Sequence, residues 1–232
     1  MPPGGRDEVA AKKRFFEPGY VYHVLNRGAQ RQQLFFSDEN YRAFTELLDA
    51  TLREIPLPIV AYELMPNHWH FVVKPDDKVQ LSEFFQTLTG THAKRFRAEH
   101  GTIGQGHVYQ DRFKSFPVES DSHFLALCRY VERNALRAGL MDRAEAWQWS
   151  SLAPRLTGQD LLLTSDWPVP RPPDWIERVN RPLTSREVEA IRRCIRRGCP
   201  LGNIEWVQQT ARELGLQHTL RSRGRPSTAK AR

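Results

Sequence analysis

The residues best equipped for chemistry lie in two short runs. The first, His68-Trp69-His70-Phe71-Val72-Val73, alternates polar and apolar side chains as a half-buried strand does. Side chains alternate across a strand, so both histidines point to one face while Trp69, Phe71 and Val73 point to the other. Two imidazoles about 7 Å apart along a strand can converge on one metal ion. A His-x-His pair that merely packs has the same spacing. The second run, from about Ser122 to Ala138, reads as a helix with an apolar stripe of Phe124, Leu127, Cys128, Val131 and Ala135. At about 100° per residue, Tyr130, Asn134 and Arg137 fall together on one flank of that stripe. A phenol, an amide oxygen and a guanidinium on one flank suit a phosphodiester: the phenol attacks, the amide completes a metal site and the arginine holds a phosphate oxygen. A boundary tyrosine beside an asparagine that helps to end the helix fits the same pattern.

The elements that must position these groups alternate from Gly19 to about Leu156. Tyr20 to Leu25 alternates as a strand, and Ser37 can cap a helix with the stripe Tyr41, Phe44, Leu48 and Leu52. Pro58 to Met65 reads as a strand, Pro66-Asn67 as a tight turn, and His68 to Val73 as the returning strand. A second amphipathic helix runs from about Leu81, with Phe85, Leu88 and Phe96 inward, to near Gly101. A strand at Phe113 to Val118 precedes the Tyr130 helix, which Gly139 closes. The order β-α-β-β-α-β predicts an α+β, ferredoxin-like (split β-α-β) antiparallel sheet, with two helices on one face and the Tyr130 helix near the other.

Composition sets the wider frame. The 232 residues suffice for one sizeable domain plus an appendage, and 40% hydrophobic residues suffice for a packed core. Lys and Arg number 34 against 27 Asp and Glu, a net charge of +7 that suits a polyanionic partner. Three cysteines without a CxxC pair exclude a disulfide framework and a zinc ribbon. There is no apolar leader and no run of about eighteen apolar residues, so the expected address is cytoplasmic, with no membrane partner.

The two runs sit within longer matches. AYELMPNHWHF, residues 61–71, closely resembles the MPNHxH signature of single-tyrosine, HUH-type transposases. YHVLNRG (22–28), YQDRFKS (109–115) and CRYVERNALRAGL (128–140), followed by Trp149-Ser150-Ser151, resemble the REP-associated tyrosine transposases in that family's order, over about residues 19–153. One departure is Ala135, where the family usually has proline; it is expected to lengthen or smooth the helix end. The resemblance implies a catalytic domain over residues 17–155. In it His68 and His70, with Asn134 as third ligand, hold Mg²⁺ or Mn²⁺, and Tyr130 attacks to form a covalent 5′-phosphotyrosine. It also implies Asn26, Arg27, Arg112, Lys114 and Arg137 as DNA contacts, although the first four are also ordinary turn formers or surface charges. The implied partner is single-stranded hairpin DNA of the REP type, handled by a monomer or homodimer. The alternative is a hairpin-binding regulatory protein without transposition activity.

Residues 156–182, rich in proline, read as an irregular connector. In the basic helical region 183–232, Thr184 and Glu187 form a capping box ahead of a helix bearing Arg192, Arg193, Arg196 and Arg197. Asn203 can cap a second helix. Together they suggest either a helix-turn-helix reader or a hairpin packed on the catalytic domain. Arg223 and Arg225, in the run RGRP, resemble the core of a minor-groove hook, and a flexible phosphate-binding tail is the alternative reading of the same basic residues. This region is expected to add DNA affinity without chemistry.

Overall fold

The computed structural model describes residues 16–77, 80–157, 162 and 167–221. Four strands, β1 (Val21–Arg27), β2 (Ile59–Met65), β3 (His68–Val73) and β4 (Lys114–Val118), are interleaved with α1 (Asp38–Glu54) and α2 (Gln80–Glu99). The sheet order is β2-β3-β1-β4 and every pairing is antiparallel, the split β-α-β arrangement that the sequence predicts. At the β2–β3 turn, the N–H groups of Leu34 and Phe35 both donate to the Pro66 carbonyl, at 2.7 and 3.1 Å. The loop after β1 is thereby fastened beside His68.

Each face of the sheet has its own core. On one, Tyr22 and Val24, Tyr62 and Leu64, and Trp69, Phe71 and Val73 pack beneath the stripes of α1 and α2. Trp69 stacks on Phe85 with centroids 5.5 Å apart. On the other face, Val21, Ala61, Val72, Phe116 and Val118 lie beneath α3 (Ser122–Glu132), which contributes Phe124, Leu127, Cys128 and Val131. Register decides what shares that second face. Leu25 and Glu63 pair with His70, and Arg27 with His68, so these groups face α3 together.

Two expectations fail. The Tyr130 helix does not continue to Ala138: α3 stops at Glu132, Arg133 takes φ −100° and ψ 3°, and a short α4 (Asn134–Arg137) restarts. Alanine in place of proline does not smooth the helix end. The N–H groups of Asn134 and Ala135 donate to the Glu63 carboxylate, where a continuing helix would send them to carbonyls four residues back. Gly139, at φ 71°, then closes the run. Nor is the proline-rich stretch irregular throughout. After α5 (Leu152–Thr157) comes α6 (Trp175–Asn180), whose Trp175 and Val179 are buried in the second core. Trp175 anchors it by donating from Nε1 to Glu132 at 2.7 Å.

Beyond it lie α7 (Ser185–Arg197), α8 (Ile204–Glu213) and α9 (Gln217–Leu220). The Thr184–Glu187 capping box forms, and Asn203 Oδ1 accepts from the Trp206 N–H at 3.0 Å. Ile191 and Cys194 drive α7 into the second core. Arg129 of α3 also reaches Glu187 at 3.7 Å and donates to the Arg178 carbonyl at 3.0 Å. Arg223 and Arg225 lie outside the described residues. Short segments cover both edges of the sheet. Leu64 N–H donates to the Trp149 carbonyl and Ser151 N–H to Tyr62, both at 2.9 Å; at β4, Leu201 N–H donates to Pro117, also at 2.9 Å. Among the described residues no helix is long and apolar enough to cross a membrane.

Candidate active site

Where β1 ends and β3 begins, a cleft of about 250 Å³ opens between the sheet, α3, α4 and α7. His68, His70 and Tyr130 line it with four arginines, Arg27, Arg137, Arg192 and Arg196; Leu25 and Ile195 supply the apolar remainder. The strand and helix put their reactive groups here for different reasons. His68 and His70 share a face because they are two residues apart on β3. Tyr130 turns inward from the flank of the apolar stripe that buries α3, and is only 6% exposed.

Hydrogen bonds fix which imidazole nitrogen is available. Asn67 Nδ2 donates to the Arg31 carbonyl at 3.2 Å, so its Oδ1 faces His68 Nδ1 at 2.7 Å. Nδ1 therefore carries the proton, and His68 Nε2 keeps its lone pair. His70 Nδ1 lies 2.8 Å from Nε2 of the fully buried His23. For His70 to offer Nε2 to a metal, its Nδ1–H must donate to His23. The His23 proton then sits on Nδ1, which is buried and has no hydrogen-bond partner among the described residues. Burial lowers His68 to about 3, with Arg27 and Arg137 adding to the effect. Burial also lowers His23 to about 3 and holds His70 well below its ordinary value, the latter with help from the neighbouring histidines. All three are neutral near pH 7, the state in which imidazole binds metal.

Asn134 reaches the same place from α4. Its Nδ2 stands 3.3 Å from His68 Nε2, while Oδ1 accepts from Arg137. Ligation through Oδ1 requires the amide to turn over. The guanidinium of Arg137 sits 4.5 Å from the Tyr130 ring centre and donates to its Oη at 3.3 Å. Two imidazoles and an amide, desolvated and neutral, fit a divalent ion and leave positions for phosphate and water.

Of the other candidates, Arg27, Arg137, Arg192 and Arg196 converge on the cleft. Arg112 and Lys114 are exposed and do not line it, and neither do Arg193 and Arg197. Asn26 is buried on the opposite face from Arg27, with Nδ2 donating to the Asp111 carbonyl at 3.2 Å and Oδ1 accepting from Arg27 N–H. Its amide braces the loop before β4. Sequence reasoning missed His23, Asn67 and Glu63. His23 is visible only through strand register, but Glu63 carried a signal: a charge at an inward position of the otherwise apolar run IVAYELM. A second cluster, Glu119, Asp121 and His123, lies at the far end of the sheet. Its carboxylates serve as caps, Glu119 accepting from Asn203 N–H at 2.7 Å and Asp121 from His123 N–H at 2.7 Å.

The fold has a counterpart among solved structures. The chain is similar to the REP-associated tyrosine transposase solved bound to a REP hairpin, with TM-score 0.51 and 17% identity over 68% of this chain and 92% of that one. A Deinococcus radiodurans R1 protein described as a transposase aligns over 56% of this chain and 96% of its own, at 20% identity and TM-score 0.37. No curated protein matches the sequence. The family model "Transposase IS200 like" matches residues 17–134, a span that ends on Asn134 and takes in both cleft histidines and Tyr130. The chain therefore belongs to the IS200-like transposase family.

Proposed function

We propose that this chain cuts and rejoins single-stranded hairpin DNA of the REP type, with Tyr130 as nucleophile. The observation that carries the reading is the convergence of Tyr130, His68, His70 and Asn134 in one cleft with four arginines. Tyr130 Oη attacks the scissile phosphorus and the bond to the 3′ oxygen breaks. The phenolic proton is lost and the departing 3′ oxygen gains one, leaving a 5′-phosphotyrosine and a free 3′-OH. One phosphodiester replaces another, so rejoining needs no ATP.

Arg137, at the phenolic oxygen, stabilises the charge that develops there. Arg27, Arg192 and Arg196 line the walls where phosphate oxygens enter and hold them in place. His68, His70 and Asn134 would hold Mg²⁺ or Mn²⁺. When bound, such an ion withdraws electron density from the scissile phosphate and stabilises the leaving oxygen. The hairpin substrate is supported by the fold shared with the REP-associated transposase. Its unpaired bases suit arginine and aromatic side chains.

The test is a labelled single-stranded hairpin incubated with the full chain and Mg²⁺ or Mn²⁺, then run on a denaturing gel. A covalent adduct that disappears in Tyr130→Phe is expected. Cleavage that survives in Tyr130→Phe would make the chain a water-using nuclease. Tight binding with no cleavage would make it a hairpin-binding regulator.

A further inference from the structure

Glu63 is a fully buried acid in the middle of a strand whose seven residues are all buried. It sits beside His70 on the face that carries the cleft, yet it does not line the cleft. Among the described residues no cation pairs with it directly. Instead Oε2 accepts from the Asn134 N–H at 3.1 Å and Oε1 from the Ala135 N–H at 2.6 Å. In an uninterrupted helix those two N–H groups would bond the carbonyls of Tyr130 and Val131. With a carboxylate occupying them, α3 ends, Arg133 leaves helical geometry, and α4 restarts at Asn134. The acid is thus a helix cap delivered from the sheet through its two acceptor oxygens. Burial pushes its carboxyl well above the usual carboxylate range, against the opposing pull of the Ala135 and Asn134 N–H groups. Proline is not needed to make the break.

The break has a chemical outcome. Asn134 stands at the first position of α4, with its amide 3.3 Å from His68 Nε2. Where that amide lies depends on where α4 starts and how it is turned, and the two bonds from Glu63 fix both. We propose that Glu63 is a positioning residue: by capping α4 it breaks the catalytic helix three residues after Tyr130 and sets Asn134 beside His68, completing a metal site that Glu63 itself does not touch. The proposal rests on the metal reading given above.

Glu63→Gln tests it with shape kept. An amide presents NH₂ to one of the two N–H groups, so one of the two bonds is lost. Two readouts are taken on the full chain without DNA: Mn²⁺ affinity by calorimetry, and hydrogen exchange at the Asn134 and Ala135 amides. The expected result is weaker Mn²⁺ binding by about 10- to 100-fold, with faster exchange at those two amides. In an Asn134→Ala background the same substitution should change Mn²⁺ affinity less than about threefold, because the group being positioned is gone. Wild-type Mn²⁺ affinity in Glu63→Gln overturns the proposal, as does an equal loss with and without Asn134, which would mark a general packing effect. Should Glu63→Gln fail to fold, Glu63→Asp keeps both acceptors but draws them back, and an intermediate loss that again vanishes without Asn134 is expected. If the wild type binds no Mn²⁺ and His68→Ala changes nothing, the metal reading fails instead. Amide exchange then still decides whether Glu63 holds the break, and unchanged exchange overturns that as well.

Discussion

The two faces of the sheet are built from the same strands and do opposite work. The face under α1 and α2 is aromatic and dry, with Trp69, Phe71, Phe84 and Phe85 all at 0% exposure. The face under α3, α4 and α7 buries His23, His70 and Glu63 just as completely, at 0%, 3% and 0%. Apolar burial stabilises a fold, whereas buried polar groups detract from it unless fully bonded. The second face holds an orphaned imidazole nitrogen, a capping acid and a cleft. Both faces contribute apolar burial, and the second also holds neutral imidazoles and a tyrosine in fixed positions.

Substitutions on the two faces should therefore separate. Trp69→Ala is expected to lower stability by about 3–5 kcal/mol in urea melts. His70→Ala should lower it far less while abolishing Mn²⁺ binding; comparable losses from both would erase the distinction.

Acid should act on the polar face first. Unfolded histidines take up a proton near pH 6.5, while His23 and His68 in the fold resist it down to about 3. The two histidines thus favour the unfolded chain as pH drops below about 6.5, while Glu63 and Glu132, raised by burial, act in the opposite sense. Each of the two histidines should contribute up to about 1.4 kcal/mol per pH unit. Melts of the wild type and His23→Phe at pH 7 and 5 check the histidine contribution, and an identical pH response in both would contradict it. His23→Phe should remove part of that contribution, keep stability within about 2 kcal/mol, and weaken Mn²⁺ binding by about 10- to 100-fold. Smallest is the effect at the cleft wall: Arg192→Ala should weaken hairpin binding modestly and reduce the salt slope by about 1. An unchanged slope would remove Arg192 from the phosphate contacts.

Much of this was legible in the residues. Alternation in HWHFVV and the stripe of α3 placed the two reactive groups on facing surfaces, and the element order predicted the sheet. What stayed hidden depended on groups far apart in the chain. Nothing near Ala135 marks a helix break, because the acid that causes it lies 72 residues earlier. His23 looks like any strand residue until the β1–β3 register sets it against His70. The short α6 escaped because prolines surround it and Trp175 finds its partner, Glu132, 43 residues away. Arg192 and Arg196 were legible as basic residues. That α7 would dock into the second core, bringing those two but not Arg193 or Arg197 to the cleft, was not.

The covered edges of the sheet bear on how two copies could meet. An open edge is an invitation for a neighbour's strand to continue the ladder. Here Trp149 and Ser151 already bond the backbone of Leu64 and Tyr62 in β2, and Leu201 bonds the carbonyl of Pro117 in β4, a residue that also lacks a donor. A dimer made by merging sheets would first have to peel these segments away, and the 149–151 segment is itself tied through Ser151 to Glu132 of α3 at 2.6 Å. A pairing of chains that leaves α3 undisturbed must therefore use helices or loops.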